Sequence, residues 1–231
     1  MKIGIIGAMD VEVAALKDKV QNRKCTTYSR MEFCEGCFGK TDVVIVKSGV
    51  GKVNAGLCVQ ILADRFGVTH IINTGVAGSL NNDINIGDIV VSVDAIYHDV
   101  DATIFGYAYG EVPQLGVKCF HADDSLRKEA MAACRKADPD INVFEGIVAS
   151  GDQFISDSNK KSWIRKTFDA DCCEMEGAAI AQASFVNQIP FVIIRAISDK
   201  ADESVSVSYD EFEGKAAIHC ADLVSSMIEN M

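Results

Sequence analysis

Residues 170–199, ADCCEMEGAAIAQASFVNQIPFVIIRAISD, decide the fold because they predict a strand, a helix and a second strand in succession. The first strand is predicted at 170–174, the helix at 176–188 and the second strand at 191–197. Strands and helices alternate along most of the chain. This alternation indicates an α/β domain with a mostly parallel sheet.

Further elements are predicted on both sides of this unit from apolar periodicity and turn residues. They are strands at 2–6, 69–73, 88–93 and 143–149, a hairpin at 30–38 and 42–48, and helices from Asp10, at 52–66, at 123–137, near 158–167 and from Ser208. A glycine loop is predicted at 73–79, and Ser208-x-x-Glu211 is a capping-box pattern. The chain has no internal repeat or polar linker, so we expect one domain over residues 1–231.

Composition and charge argue against several classes of protein. The 231 residues carry a formal net charge of −11, which does not suit a partner such as nucleic acid or an anionic membrane surface. No stretch approaches the roughly 18 apolar residues of a membrane helix. Asp10 and Glu12 interrupt the apolar start, where a secretory signal would be continuous. We therefore expect a cytoplasmic protein whose nine cysteines are reduced, mostly buried thiols.

Cys34 and Cys37 have the spacing of a CxxC motif. They lie in a predicted strand, where residues three apart point to opposite faces. The sequence contains no second CxxC pair and no histidine pair at ligand spacing, so we expect no metal site here.

Polar side chains stand where predicted strands end. Glu12 follows the first strand at the start of a helix, Glu174 and Glu176 follow the strand at 170–174, and Arg195 and Asp199 end the strand from 191. Each acid alone could be a helix cap or a surface group that complements a helix dipole. Together they would meet at the carboxyl edge of the sheet, where ligands bind in this architecture. A buried Arg195 would need an acid partner, and Glu12, Glu174 or Glu176 could supply it.

One long segment, residues 95–122, contains no predicted element but holds five aromatic side chains. Structureless loops of this length are usually functional or disordered, and the aromatic residues argue against disorder. The segment could simply cap the edge of the core. We favour a lid or a subunit contact over an apolar ligand.

The sequence resembles the 5′-methylthioadenosine/S-adenosylhomocysteine nucleosidases of the purine nucleoside phosphorylase superfamily almost from end to end. The matching segments are KIGIIGAM…EV at 2–13, KSGVGKVNA at 47–55, INTGVAG at 72–78, GDIVVS at 87–92, YHDVD at 97–101, FGYAYG at 105–110, SGDQFI at 150–155, EMEGAA at 174–179 and RAISDKA at 195–201. The resemblance implies a three-layer α/β/α sandwich that acts as a homodimer on a small adenine nucleoside, with no cofactor and no metal.

The resemblance also implies roles for individual residues. Asp199 would protonate the purine N7, and Glu12 would activate the attacking water near Arg195. Glu176 and Met175 would hold the ribose, Phe154 would stack on adenine, and the backbone of Ile155 would read the edge of the base. Val50, together with Phe105, Tyr107 and Pro113 of the partner subunit, would line the pocket for the 5′-thio group. The remaining substrate-binding residues would be Ala8, Val76, Gly78, Glu174 and Ser198.

Two positions depart from the family pattern, and they bear on substrate preference rather than on reaction class. Val76 stands where relatives often have Ser, and Ala102 replaces a bulkier apolar residue. A phosphorylase on the same scaffold is the nearest alternative, although an ionised Glu12 would repel phosphate. A nucleoside-binding module without catalysis is the second alternative. The sequence does not rank 5′-methylthio, homocysteinyl, 5′-deoxy and futalosine-type substrates.

Overall fold

A mixed sheet forms the centre of the computed structural model, which describes residues 1–137, 141–202, 205–229 and 231, without the side chains of 137 and 205–211. Its strands are β1 (Lys2–Gly7), β2 (Gln21–Tyr28), β3 (Met31–Phe38), β4 (Thr41–Lys47), β5 (His70–Ser79), β6 (Ile89–Tyr97), β7 (Phe120–His121), β8 (Val143–Ser150), β9 (Cys172–Glu174) and β10 (Phe191–Asp199). The helices are α1 (Asp10–Lys19), α2 (Lys52–Ile61), α3 (Asp124–Ala137), α4 (Ser158–Phe168), α5 (Gly177–Val186) and α6 (Val205–Glu229).

The sheet consists of an open part and a closed part that share β5. In the open part the order is β2-β3-β4-β1-β5. In the closed part β5 pairs with both β10 and β9, and the ladder β10-β6-β8-β9 completes a ring of five strands. The long pairings β1–β4, β5–β10 and β6–β8 are parallel. The predicted α/β fold with a mixed, mostly parallel sheet is therefore confirmed.

Helices cover both faces of this sheet. On one face, α6 packs against β5 and β10 and also contacts α1 and α3. On the other face, α5 packs against α2 and against β8. Because both faces are covered, β10 can be apolar along most of its length, and all nine of its residues are buried. Each fully buried Ile or Val side chain contributes roughly 1.5–3 kcal/mol to folding. No helix in the described part of the chain is long and apolar enough to cross a bilayer.

Several predicted boundaries were wrong. The strand predicted at 88–93 continues as β6 to Tyr97, and the segment 95–122, for which no element was predicted, also contains β7. Residues 73–79 do not form a glycine loop, because β5 continues to Ser79 and pairs with β10 as far as Gly78. The glycines of this strand let neighbouring side chains approach the backbone, as described below. The last helix begins at Val205 rather than at Ser208, and the side chains of the predicted capping box lie outside the described residues.

The expectation that the cysteines are all reduced was also wrong. Cys25 and Cys34 form a disulfide between β2 and β3, where they are direct register partners. β2 was not predicted from the sequence, so no partner for Cys34 was expected. Side chains directly opposite each other on antiparallel strands are close enough for such a bond. Glu32 lies beside both sulfur atoms, which are already bonded to each other.

Candidate active site

A cavity of about 180 Å³ opens where β1, β5, β9 and β10 end. Its lining includes most of the side chains that the sequence analysis singled out, namely Ala8, Glu12, Val50, Val76, Gly78, Phe154, Ile155, Glu174, Met175, Glu176, Ser198 and Asp199. These residues come from six segments of the chain. The fold therefore brings distant parts of the sequence to one edge of the sheet, as expected for ligand sites in this architecture.

Glu12 is held at the junction of β1 and α1. It lies in the first turn of the helix, and its Oε2 accepts hydrogen bonds from the backbone N–H groups of Ala8 (2.6 Å) and Met9 (2.9 Å). Its Oε1 accepts a third from Val76 on β5 (3.1 Å). Burial raises the pKa of Glu12, and the nearby Arg195 and these three N–H groups oppose that rise. A buried carboxylate of raised pKa is well suited to take a proton from a water molecule.

Asp199 ends β10 on the other side of the same cavity. Its carboxylate accepts hydrogen bonds from the hydroxyl of Ser198 and from the N–H of Ala201, both at 2.8 Å. Burial is the main cause that raises the pKa of Asp199, so protonation is easier than for an exposed aspartate. A protonated acid next to an apolar cavity can donate its proton to a leaving group.

β5 sets the spacing of these two carboxylates. Glu12 accepts a hydrogen bond from Val76, whereas Asp199 is the register partner of Gly78. Two glycines of β5 leave room for these carboxylates. A β-carbon on Gly78 would lie 2.7 Å from Asp199 Oδ1, and one on Gly75 would collide with Glu12 and Arg195.

Arg195 lies behind the cavity wall and does not line it. It is 1% exposed, and its guanidinium donates to Asn73 and to the carboxylate of Glu174. Of the acid partners considered for Arg195, Glu174 forms the ion pair. Glu174 also accepts hydrogen bonds from the hydroxyl of Ser150 and from the backbone N–H of Gly177 (2.8 Å). Glu174 and Arg195 therefore form a buried ion pair that shapes the wall.

Glu176 accepts fewer hydrogen bonds than its neighbour Glu174. Its Oε1 accepts a hydrogen bond from the N–H of Gly51 (2.7 Å), and no donor among the described residues meets its Oε2. Burial and the adjacent Glu174 raise the pKa of Glu176 to about 7, against the attraction of Arg195. Its free oxygen faces a cavity, which suits a ligand that carries hydroxyl groups.

The opposite part of the cavity is apolar and belongs to the loop between β8 and α4. Ile155 is buried, whereas the ring of Phe154 is 54% exposed at the opening. An exposed ring beside a cavity offers a face on which a flat aromatic ligand can stack.

Three predicted residues do not line this cavity in the chain described. Phe105 is 80% exposed, Tyr107 is partly buried in the loop after β6, and Pro113 lines a separate, open depression of about 480 Å³. The prediction assigned all three to the partner subunit, and that assignment stays a prediction.

Several residues of the site were not predicted. Met9, Ala77, Gln153 and Cys173 also line the cavity. Asn73 and Ser150 hold Arg195 and Glu174 in place. Both are polar residues within or at the end of otherwise buried strands, and that signal could have identified them.

Comparisons with known proteins agree with this geometry. Residues 2–229 match the family model described as the phosphorylase superfamily. The chain is 44% identical over 232 residues to a 5′-methylthioadenosine/S-adenosylhomocysteine nucleosidase of Geobacillus sp. (strain WCH70), with coverage of 100% of this chain and 99% of the relative.

Solved structures give the same result. A nucleosidase of this kind from Neisseria meningitidis, in complex with methylthio-immucillin-A, superposes with a TM-score of 0.96 at 38% identity, covering 100% of this chain and 99% of the other. The futalosine hydrolase of Helicobacter pylori strain 26695 superposes with a TM-score of 0.94 at 31% identity, covering 100% and 98%. The chain belongs to the 5′-methylthioadenosine/S-adenosylhomocysteine nucleosidase family within the phosphorylase superfamily.

Proposed function

We propose that this enzyme hydrolyses the N-glycosidic bond of 5′-methylthioadenosine and S-adenosylhomocysteine, releasing adenine and the 5′-modified ribose. The observation that carries the proposal is the pair Glu12 and Asp199. They are two buried carboxylates of raised pKa that line one largely apolar cavity, one from the first turn of α1 and the other from the end of β10.

The geometry supports different catalytic roles for these two acids. Glycosidic cleavage passes through an oxocarbenium-like state and needs an acid at the leaving group and a base for water. Asp199 donates its proton to adenine at N7, which makes the base a better leaving group. Glu12 takes a proton from the attacking water, while Glu176 accepts hydrogen bonds from the ribose hydroxyls. Phe154 stacks on the adenine ring, and Arg195 acts indirectly by fixing Glu174.

Water is a better second substrate than phosphate for this cavity. Among the described residues, those that line it include no Lys, Arg or His, whereas four carboxylates do line it. The nearby Arg195 is already paired with Glu174. An ionised Glu12 without a free cation beside it would repel a phosphate ion.

An exposed apolar surface outside the cavity bears on the 5′ group and on assembly. Val53 and Leu57 on α2, Val186 on α5, and Ile104 and Phe105 in the loop after β6 are each at least 49% exposed. An exposed apolar surface of this kind marks a protein interface. We propose that a second copy of the chain covers it and brings Phe105, Tyr107 and Pro113 to the 5′ group. Light scattering that shows a monomer at working concentration would contradict this assembly.

The remaining proposals concern the range of substrates, the metabolic role and the cellular location. An apolar pocket that does not require a charged tail accommodates 5′-deoxyadenosine, and the chain would serve methionine salvage in the cytoplasm. A larger futalosine-type nucleoside is the alternative substrate.

Chromatography of 5′-methylthioadenosine incubated with the purified enzyme tests the proposal. The incubation is run once without phosphate and once with it. We expect adenine and free methylthioribose in both tubes at equal rates. Adenine that appears only with phosphate would establish a phosphorylase and overturn the role of Glu12. Adenine in neither tube would favour the binding module or a different nucleoside.

A further inference from the structure

Three charged residues outside the cavity connect the two sides of the site. They are Lys52 at the start of α2, Asp99 just after β6 and Asp152 just after β8. Asp99 Oδ2 accepts hydrogen bonds from Lys52 Nζ (2.7 Å) and from the N–H of Asp152 (2.9 Å). Asp152 Oδ1 accepts one from the N–H of Lys52 (2.9 Å), and its other oxygen lies 3.8 Å from Lys52 Nζ. Each residue is therefore bonded to both of the others.

On one side, this cluster fixes the backbone that holds Glu176. Gly51 directly precedes Lys52, and its N–H donates to Glu176 Oε1 at 2.7 Å. Gly51 has a φ of +97°, a conformation that favours glycine, and a β-carbon there would lie 3.2 Å from Asp152 Oδ1. The hydrogen bond from Lys52 N–H to Asp152 holds the peptide that follows Gly51 and so restrains the backbone next to the Gly51 N–H.

On the other side, the cluster fixes the loop that carries Phe154 and Ile155. Asp152 lies two residues before Phe154, and Asp99 holds the N–H of Asp152. The neighbouring Gly151 is also fixed, because the buried ring of His98 occupies the space that a side chain there would need. A β-carbon on Gly151 would lie 2.6 Å from His98 Nε2. The start of the loop therefore has little freedom to move.

We propose that Lys52, Asp99 and Asp152 form an ionic clasp that positions both halves of the substrate at once. Through Gly51 the clasp orients Glu176 towards the ribose, and through the loop it orients Phe154 towards the base. The proposal rests on the proposed function for the identity of these two halves. None of the three residues lines the cavity, so they are positioning residues and not catalytic ones. Small errors in the placement of binding groups reduce rates strongly, so such a clasp affects catalysis from a distance.

Asp152 is the member best suited to mutation. The side chains of Lys52 and Asp99 are 24% and 15% exposed, so removing either would leave a poorly solvated charge and could affect folding. Asp152 is 52% exposed. Asp152→Ala removes the acceptor for Lys52 N–H, whereas Asp152→Asn keeps an oxygen in that place. Asp222→Ala is the matched control, because Asp222 is also 52% exposed and its loss breaks an ion pair with Lys19 (2.7 Å) between α1 and α6.

The test compares the affinity for adenine, measured by calorimetry, with kcat/KM for 5′-methylthioadenosine. For Asp152→Ala we expect adenine to bind about fivefold more weakly and kcat/KM to fall about 20-fold or more, because the ribose contact is lost in addition. Asp152→Asn should recover most of both values, and Asp222→Ala should change neither. Unchanged adenine affinity in Asp152→Ala would overturn the proposal. A fall in kcat/KM no larger than the fall in adenine affinity would also overturn it. The same holds if Asp152→Asn is as impaired as Asp152→Ala.

The same measurements separate this proposal from the proposed function. If the wild-type enzyme binds the nucleoside without cleaving it, the proposed function has failed. The dissociation constant of 5′-methylthioadenosine then replaces kcat/KM in the comparison with adenine. If Asp152→Ala loses more affinity for the nucleoside than for adenine, the result still supports the clasp. Equal losses of affinity for the two ligands refute it.

Discussion

The free energy of unfolding of the wild-type enzyme should fall as the pH rises from about 4.5 to about 7, because Glu176 ionises in this range. Replacing Glu176 with Gln should abolish this fall. Glu176 is buried beside Glu174, and its pKa rises from 4.5 to about 7 because burial and that neighbour disfavour the charged form. The side chain therefore keeps its proton in the folded enzyme at a pH where the unfolded chain has already released it.

The sign and the size of the effect follow from proton linkage. Between the two pKa values the folded state binds more protons than the unfolded state, so the free energy of unfolding falls as the pH rises. The contribution is fully present below about 4.5 and is lost once the pH passes about 7. At about 1.4 kcal/mol for each pH unit, the loss amounts to roughly 3 kcal/mol.

Urea unfolding of wild type and Glu176→Gln at about pH 5 and about pH 8 measures this effect. Relative to wild type, the free energy of unfolding of the variant should rise by roughly 2.5 kcal/mol between the two conditions, because Gln cannot ionise and part of the wild-type loss has already occurred at pH 5. Glu129→Gln, a change at an exposed glutamate of α3, is the matched control and should gain almost nothing. A difference between Glu176→Gln and wild type that is the same at both pH values would refute the reasoning.

Three further changes test other parts of the structure. Asp199→Asn should lower kcat for adenine release by about 10²–10⁴ while the enzyme stays folded, and near-normal turnover would remove Asp199 from the acid role. Gly78→Ala places a β-carbon 2.7 Å from Asp199 Oδ1, so kcat should fall at least about tenfold; full activity would show that the acid can shift freely. Reduction of the Cys25–Cys34 disulfide, which closes a loop with a sequence separation of 9, should lower the free energy of unfolding by up to about 2.5 kcal/mol. Denaturation with and without a reductant measures that loss, and Cys25→Ser should be insensitive to the reductant.

The sequence predicted those parts of the site that depend on local pattern. Glu12, Glu174 and Asp199 could be placed at one edge because each follows an apolar strand, and parallel strands bring such ends together. The roles given to individual residues came from the resemblance to a family, since position alone does not separate a catalytic acid from a helix cap.

Other features depend on contacts that no local pattern reveals. β5 was cut short at Asn73 because glycine is depleted in strands, yet here the glycines admit the side chains of Glu12 and Asp199. Asp152 contacts Lys52 across 100 positions of sequence, and Asp99 contacts it across 47. The disulfide was missed for a simpler reason, because β2 is largely exposed and lacks the apolar alternation that identifies a strand.

The closed ring of five strands has a mechanical consequence for the enzyme. β5 and β10 are hydrogen-bonded to neighbours on both sides, so neither can separate at a free edge. Moving β10, which carries Asp199, away from β5, whose Val76 N–H contacts Glu12, would require two ladders of the ring to break together. Phe105 and Phe154 lie outside this sheet. The distance between proton donor and proton acceptor should therefore stay constant under thermal fluctuation even where the side chains outside the sheet adjust. A scaffold of this kind can accept 5′ groups of different size without a change in its chemistry.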